Sequence, residues 1–303
     1  MDSCRRIARN RGAITWIACA IAFCGGGCKS TDAPVDKISP PDLELVSAGN
    51  EPRQLLRYRA PAGTVQKLDV TIAIELTAGE MGGPMPTLLL QMSYVVEAVF
   101  PTGQMALKAT IDNVAAIDTP DSKVPAAALA GPLETLKGLA IRSVLAPNGR
   151  LTGSNLDRGT KTLAPELEQQ VSSLVASFES TMMALPDEPV GVGAVWRNSR
   201  PVEQNGLKLK AVNSVSLTAI KGDVIEYSVD TDIHGQDQSI KQGEVTIEVK
   251  DLVGNGGGKG SVDLRKLAIS SELAAEFRSA MTATGDTEPT KMEMATLVKV
   301  VAR

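Results

Sequence analysis

Few side chains in this 303-residue sequence stand in patterns that do chemistry. The single histidine, His234, lies in Asp232-Ile233-His234-Gly235-Gln236-Asp237. A metal centre needs several His, Cys or carboxylate ligands converging on one point. Asp232, His234 and Asp237 would make a weak one, and a solvated turn explains the same residues more simply. Ser-His-Asp catalysis would have to use this same histidine, and the sequence has no Gly-X-Ser-X-Gly elbow for a nucleophile. Asp187-Glu188, or Glu97 with Asp112, are carboxylates of the type used in acid-base work, but acids on a strand or turn usually mark wet surface. Gly254-Asn255-Gly256-Gly257-Gly258-Lys259-Gly260 resembles a phosphate loop in composition only. Such a loop needs Lys-Ser/Thr opening a helix, and here Gly260-Ser261 leads into an alternating run, so a flexible hairpin tip is expected. No catalytic residue, metal or cofactor is assigned, and the chain is not read as an enzyme.

One cysteine is different in kind. Cys28 ends a leader with Arg5, Arg6, Arg9 and Arg11, an apolar run from Ala13 to Phe23, and Gly25-Gly26-Gly27. That is the plan of an exported segment cut between Gly27 and Cys28. The apolar run is too short to span a bilayer, which takes about 20 residues. Without residues 1 to 27, which hold four of the 31 basic and one of the 35 acidic side chains, the net charge is −7. A mildly acidic chain offers no broad basic face, so nucleic acid is excluded as a partner. Cys4, Cys19 and Cys24 leave with the leader, so no intramolecular disulfide can form and stability must come from the core.

Gly25-Gly26-Gly27-Cys28 resembles a bacterial lipobox, in which the cysteine thiol receives a diacylglycerol; Gly25 stands where that family prefers Leu. The resemblance implies a lipoprotein signal peptide over 1–27, lipid attachment at Cys28, and a membrane partner reached through that anchor. Lys29, where an aspartate would signal inner-membrane retention, implies the outer membrane of the cell envelope. Residues 28–50, with Pro34, Pro40 and Pro41, read as a polar tether too poor in apolar residues to fold.

The rest, 51–303, reads as a β-rich domain. Val65 to Leu76, Thr87 to Phe100 and Gln104 to Ile117 alternate with period two and are joined by turns such as Pro101-Thr102-Gly103, the mark of an antiparallel meander. Leu207 to Ile220, Asp223 to Ile233, Glu244 to Val253, Ser261 to Ser270 and Lys291 to Val301 alternate likewise. Between these blocks, 51–120 and 190–303, the sequence predicts a short helical segment over 125–139 interrupted at Gly131-Pro132. It also predicts a hairpin at Asn148-Gly149 and a long amphipathic helix over 163–185. The expected fold is mainly β (α+β): an antiparallel curved sheet or open barrel with a helix packed on or in it.

Leu185-Pro186-Asp187-Glu188-Pro189-Val190-Gly191-Val192-Gly193-Ala194-Val195-Trp196, with Leu55-Leu56-Arg57-Tyr58 and Asn148-Gly149-Arg150, resembles an uncharacterised family of envelope lipoproteins sharing a domain of unknown function. The motifs are structural, with Trp196 expected as a core anchor. Leu88-Leu89-Leu90, Val95-Val96, Met81, Met85, Met92 and Met105 make strands apolar on both faces, which fits a filled core or a greasy pocket. Two functions stay open. One is an anchored protein that binds a hydrophobic ligand or lipid at residues the sequence does not specify. The other is a structural module with a filled core that contacts another envelope protein. Hydrolysis ranks last.

Overall fold

The structure, a computed structural model, describes residues 42–79, 81–157, 159, 182–204, 207–242, 245–284 and 288–303. Among these it is mainly β: one 14-stranded antiparallel sheet, left open, with a single short helical segment. The strands are β1 (Asp42–Ser47), β2 (Val65–Ala78), β3 (Met81–Pro84), β4 (Thr87–Val99), β5 (Met105–Ile117), β6 (Ala140–Leu145) and β7 (Leu151–Asp157), then β8 (Val195–Gln204), β9 (Leu207–Lys221), β10 (Val224–Gly235), β11 (Gln238–Gln242), β12 (Val245–Asp263), β13 (Ala268–Ala283) and β14 (Thr290–Ala302). Their order across the sheet is β1-β8-β9-β10-β12-β13-β14-β2-β4-β5-β6-β7, with β11 beside β12 and β3 beside β2. The C-terminal strand β14 pairs with β2, from Met292 opposite Ala78 to Ala302 opposite Leu68, and so joins the early and late strand blocks.

The sheet curls. Two consecutive residues of the segment before β2 bond to strand ends far apart in the order: Tyr58 N donates to Pro147 O beyond β6, and Arg59 N donates to Leu264 O beyond β12. In a flat sheet, the six steps from β12 to β6 would span about 29 Å, while consecutive Cα atoms lie 3.8 Å apart. Only a sheet rolled toward one face brings both ends to one dipeptide. Alternation follows from this: residues of one parity face the inside of the curl, and the other parity faces out. On the inner face lie Leu68 of β2, Tyr94 and Val96 of β4, Met105, Leu107 and Ile111 of β5, and Trp196, Leu217, Ile225 and Val262 of the later strands, all buried in one apolar cluster.

The helical segment is a 3-10 turn, Ala126–Leu129, running into α1 (Ala130–Leu136). Leu129, Leu133 and Leu136 recur at helical spacing and are buried in the same cluster. The expected break at Gly131-Pro132 is absent. Pro132 falls in the first turn of α1, where its missing N–H is no loss. Gly138 N donates to Ile111 O at 2.7 Å and Ile111 N to Leu139 O at 3.0 Å, which stitches the end of the helix to β5.

Three further expectations change. The end of the tether read over 28–50 is folded, Asp42–Ser47 forming β1 beside β8 from Asp42 opposite Ser199 to Ser47 opposite Val195. The helix expected over 163–185 lies, for residues 163–181, outside the described residues; Met182 to Leu185 form no helix. Their backbone groups are claimed from elsewhere: Leu185 N donates to Asn148 O, and the carbonyls of Met183 and Ala184 accept from Tyr58 and Trp196. The glycine run 254–260 is no hairpin tip. It is the middle of β12, paired with β10 on one side and β13 on the other, and the strands expected over 244–253 and 261–270 become β12 and the start of β13.

Candidate functional site

Two features of the curl are built with care, a clasp at one end and a waist on the inner face. The clasp unites the three motifs that stood apart in the sequence. Arg57 Nη1 donates to Leu56 O and Pro186 O, both at 2.7 Å, and its Nη2 donates to Asp187 O at 3.0 Å and Asp187 Oδ1 at 3.3 Å. Asn148 Nδ2 also donates to Asp187 Oδ1, at 3.1 Å. The Tyr58 hydroxyl donates to Met183 O at 3.2 Å. Burial, together with Tyr227 nearby, pushes that phenol far above its ordinary range, so it keeps its proton as a donor. Gly149 turns the β6–β7 hairpin at φ 84°, and a Cβ there would lie 2.2 Å from Met183 O and 2.7 Å from the Tyr58 ring. The position needs both the left-handed backbone and the missing side chain.

Trp196 completes the clasp. It is fully buried and donates from Nε1 to Ala184 O at 3.0 Å, so the large apolar body and its one polar atom are both satisfied. It is a core residue, as the sequence led one to expect. What the clasp does is mechanical: it fastens the segment before β2 across the mouth of the curl.

The inner face carries two apolar clusters. The larger lies at the clasp end; the smaller, at the other end, holds Leu76, Ile247, Val249, Leu252, Met281 and Met292. Between them a waist crosses six neighbouring strands in register: Asn198 opposite Asn213, then Thr231, Gly256, Ala275 and Thr296. All six are half-buried. Thr231 Oγ1 donates to Asn213 Oδ1 at 2.7 Å, and Asn213 Nδ2 donates to Asn198 Oδ1 at 3.0 Å. The rows on either side are mostly apolar, with Arg200 standing by register in the row of Ile233. Val229, Leu273, Val298 and Ile72 lie on the clasp side, and Ile233, Phe277, Met294 and Leu76 lie on the other.

The remaining candidate residues do not gather. His234 and Asp232 are exposed on the outer face of β10, and Asp237 accepts from Asp251 N at 3.3 Å. Among the described residues no three His, Cys, Asp or Glu side chains are placed to hold a metal. Glu97 pairs with Arg142, while Asp112 accepts from Ser93 Oγ at 3.0 Å, so these two carboxylates serve different partners. Asp187 and Glu188 are exposed, Asp187 belonging to the clasp. Leu88, Leu90, Met92 and Met105 face the inner cluster, as core residues do. Gly27 and Cys28 lie outside the described residues.

The waist left no mark in the sequence. Asn198, Asn213 and Thr231 look like ordinary strand residues until register places them side by side. A signal was present in the parity: an Asn or Thr at an inward position of β8, β9, β10 and β14.

Residues 155–266 match a family of unknown function (DUF6263). That stretch is similar to the family over β8, β9, β10 and β12 and therefore includes Asn198, Asn213, Thr231 and the glycine run, but not the Arg57 segment. No curated protein matches the chain.

Proposed function

We propose that the chain is a lipid-anchored cell-envelope protein, held in the outer membrane through Cys28, and that its curled sheet binds a hydrophobic ligand. The observation that carries the ligand reading is the inner face. Ile72, Leu273 and Val298 are half-buried there and belong to neither apolar cluster, whereas the half-buried Val70, Val229 and Val300 pack against the larger one and Phe277 and Met294 against the smaller. Apolar side chains left part-wet on a concave surface gain from a hydrocarbon guest at roughly 25 cal/mol per Å² covered. The anchor reading rests on the leader and on Cys28 following Gly25-Gly26-Gly27.

A single variant tests both parts. Cys28→Ser, produced with its leader in a Gram-negative host, should lose incorporation of radiolabelled palmitate and leave the membrane fraction. Purified without detergent, it should carry a species of lipid mass in native mass spectrometry. Palmitate label persisting on the variant would remove the anchor reading, and a bare protein mass in repeated preparations would remove the ligand reading. A second reading, a structural module that contacts another envelope protein, is favoured by the clasp, whose side chains are spent on holding the sheet closed.

A further inference from the structure

Two phenols come close to each other in the larger cluster, and only one of them is hydrogen-bonded. The Tyr58 hydroxyl donates to Met183 O at 3.2 Å. Tyr227, on β10, is 9% exposed, and its hydroxyl has no protein partner among the described residues. Its direction is set by β12. Gly260 stands opposite Tyr227 with no side chain, and the Tyr227 oxygen sits 2.6 Å from the place a Cβ of Gly260 would take. The phenol thus leans across β12 toward β13, where Ser271 stands opposite Gly260. Ser271 is half-buried on the same face and also has no hydrogen-bond partner among the described residues. Directly opposed residues hold their Cβ positions about 5 Å apart, so the two hydroxyls flank one small space over Gly260. Burial pushes the Tyr227 phenol above its ordinary range, and it stays a proton donor. A core position that needed only the ring would be filled better by Phe, which has no hydroxyl to desolvate.

We infer that the hydroxyls of Tyr227 and Ser271 hold the head oxygen of an acyl chain, which accepts from Tyr227 while the hydrocarbon lies along Leu273, Val298 and Ile72. This rests on the hydrophobic-ligand reading above and adds the residues that seat the head and the class of head they take. The placement follows from register. Leu273 is two residues from Ser271 on the same face of β13, Val298 of β14 stands opposite Leu273, and Ile72 of β2 stands opposite Val298. Head and tail positions therefore adjoin, and the tail crosses three neighbouring strands, a span of about 10 Å. Leu273 leans over β12 as Tyr227 does, its Cδ2 lying 2.8 Å from the Cβ position of Gly258. At the level of Ser271 the row continues through Val300 and Val70, which pack against the larger cluster, so the uncovered apolar row is the one that begins at Leu273. A phenol donor beside a serine hydroxyl calls for an acceptor oxygen, and an acyl ester or carboxylate carries one at the end of its hydrocarbon.

The test uses the exported Cys28→Ser protein, stripped of any bound species, and three probes with tails of matched length: laurate, 1-lauroylglycerol and dodecyltrimethylammonium. Each is titrated by calorimetry below its micelle-forming concentration. Tyr227→Phe, which removes one oxygen and keeps the ring, should weaken laurate and 1-lauroylglycerol about fivefold each, the loss of one hydrogen bond. It should leave dodecyltrimethylammonium, which has no acceptor, unchanged. Ser271→Ala should act in the same direction. Whichever acyl probe binds the parent more tightly names the source of the chain, a free fatty acid or a glyceride. Folding of each variant is read from the emission of buried Trp196. Acyl affinities indifferent to Tyr227→Phe, or all three probes weakened alike, overturn the head-oxygen assignment and leave the hydrophobic-ligand reading standing. Failure of the folded parent to bind any of the three overturns both.

Discussion

The glycine run in β12 makes a sharp prediction because adjacent glycines there face opposite sides of the sheet. Gly258 faces inward, where a Cβ would sit 2.1 Å from Glu272 O, 2.8 Å from Leu273 Cδ2 and 2.9 Å from Leu273 Cα. Two of those three atoms belong to the backbone of β13 and cannot rotate away. Gly254 and Gly256 meet the same strand in the same manner, at 2.6 Å from Glu276 O and from Ala274 O. The inward glycines thus mark the line along which the sheet rolls most tightly, where only a missing side chain lets β12 lean onto β13. Gly257 faces outward; its Cβ would meet one close backbone atom, Val229 O at 2.9 Å, with the Asp230 carboxylate at 3.5 Å and Asp230 Cα at 3.9 Å. Gly258→Ala therefore forces β13 to retreat, an overpacking cost of about 3 kcal/mol, offset by up to about 1 kcal/mol from the stiffer unfolded chain. The net loss is about 2 kcal/mol. With a urea slope of about 3 kcal/mol per M, the midpoint should fall by about 0.7 M, followed through Trp196 emission. Gly257→Ala pits the same gain against a single, longer backbone contact and should lower the midpoint by about half as much. Equal shifts for the two variants, or a Gly258→Ala midpoint as high as the parent's, would refute the claim that close strand approach drives the curl.

Other outcomes follow from the clasp and the outer face. Arg57→Ala leaves the carbonyls of Leu56, Pro186 and Asp187 without their donor, and should cost about 2 to 3 kcal/mol in urea unfolding; Arg57→Lys should recover little, since one ammonium cannot span a fork. On the outer face, Asp157 accepts from Gly159 N and pairs with Arg142, which holds its carboxyl below the usual range. The stability it contributes is complete above the unfolded carboxylate value, near pH 4, and is lost as pH falls through the lower folded value. Thermal scans from pH 5 down to pH 2 should show Asp157→Asn converging with the parent at the acid end, and a gap that stays constant with pH would discard this account.

Much of the sheet was legible because period two survives in short windows. Val65 to Leu76 or Thr87 to Phe100 need no partner to declare which residues share a face. Pro101-Thr102-Gly103 and Asn148-Gly149 announce their turns through backbone chemistry alone. The glycine run failed for the same local reason. Read by itself, Gly-Asn-Gly-Gly-Gly-Lys-Gly has no strand propensity; it becomes a strand only because β10 and β13 hold it from both sides and because β13 needs the space. Trp196 was legible as an anchor, but its hydrogen bond to Ala184 was not, since the Ala184 carbonyl is free only where no helix takes it.

The waist shows why register decides what composition cannot. Moving β9 or β10 by a single residue would carry Asn213 or Thr231 to the outer face, and moving either by two would place an apolar residue such as Val215 or Val229 in the row. Asn198, Asn213 and Thr231 meet only because the β8–β9 and β9–β10 pairings both hold their register, and with Thr296, beyond Gly256 and Ala275, they interrupt the apolar lining. Asn at an inward strand position loses both β propensity and apolar burial. A purely structural sheet would gain by placing Val or Ile at Asn198, Asn213 and Thr231, merging the two clusters into one core. The row keeps those clusters apart, and that separation carries a cost in stability.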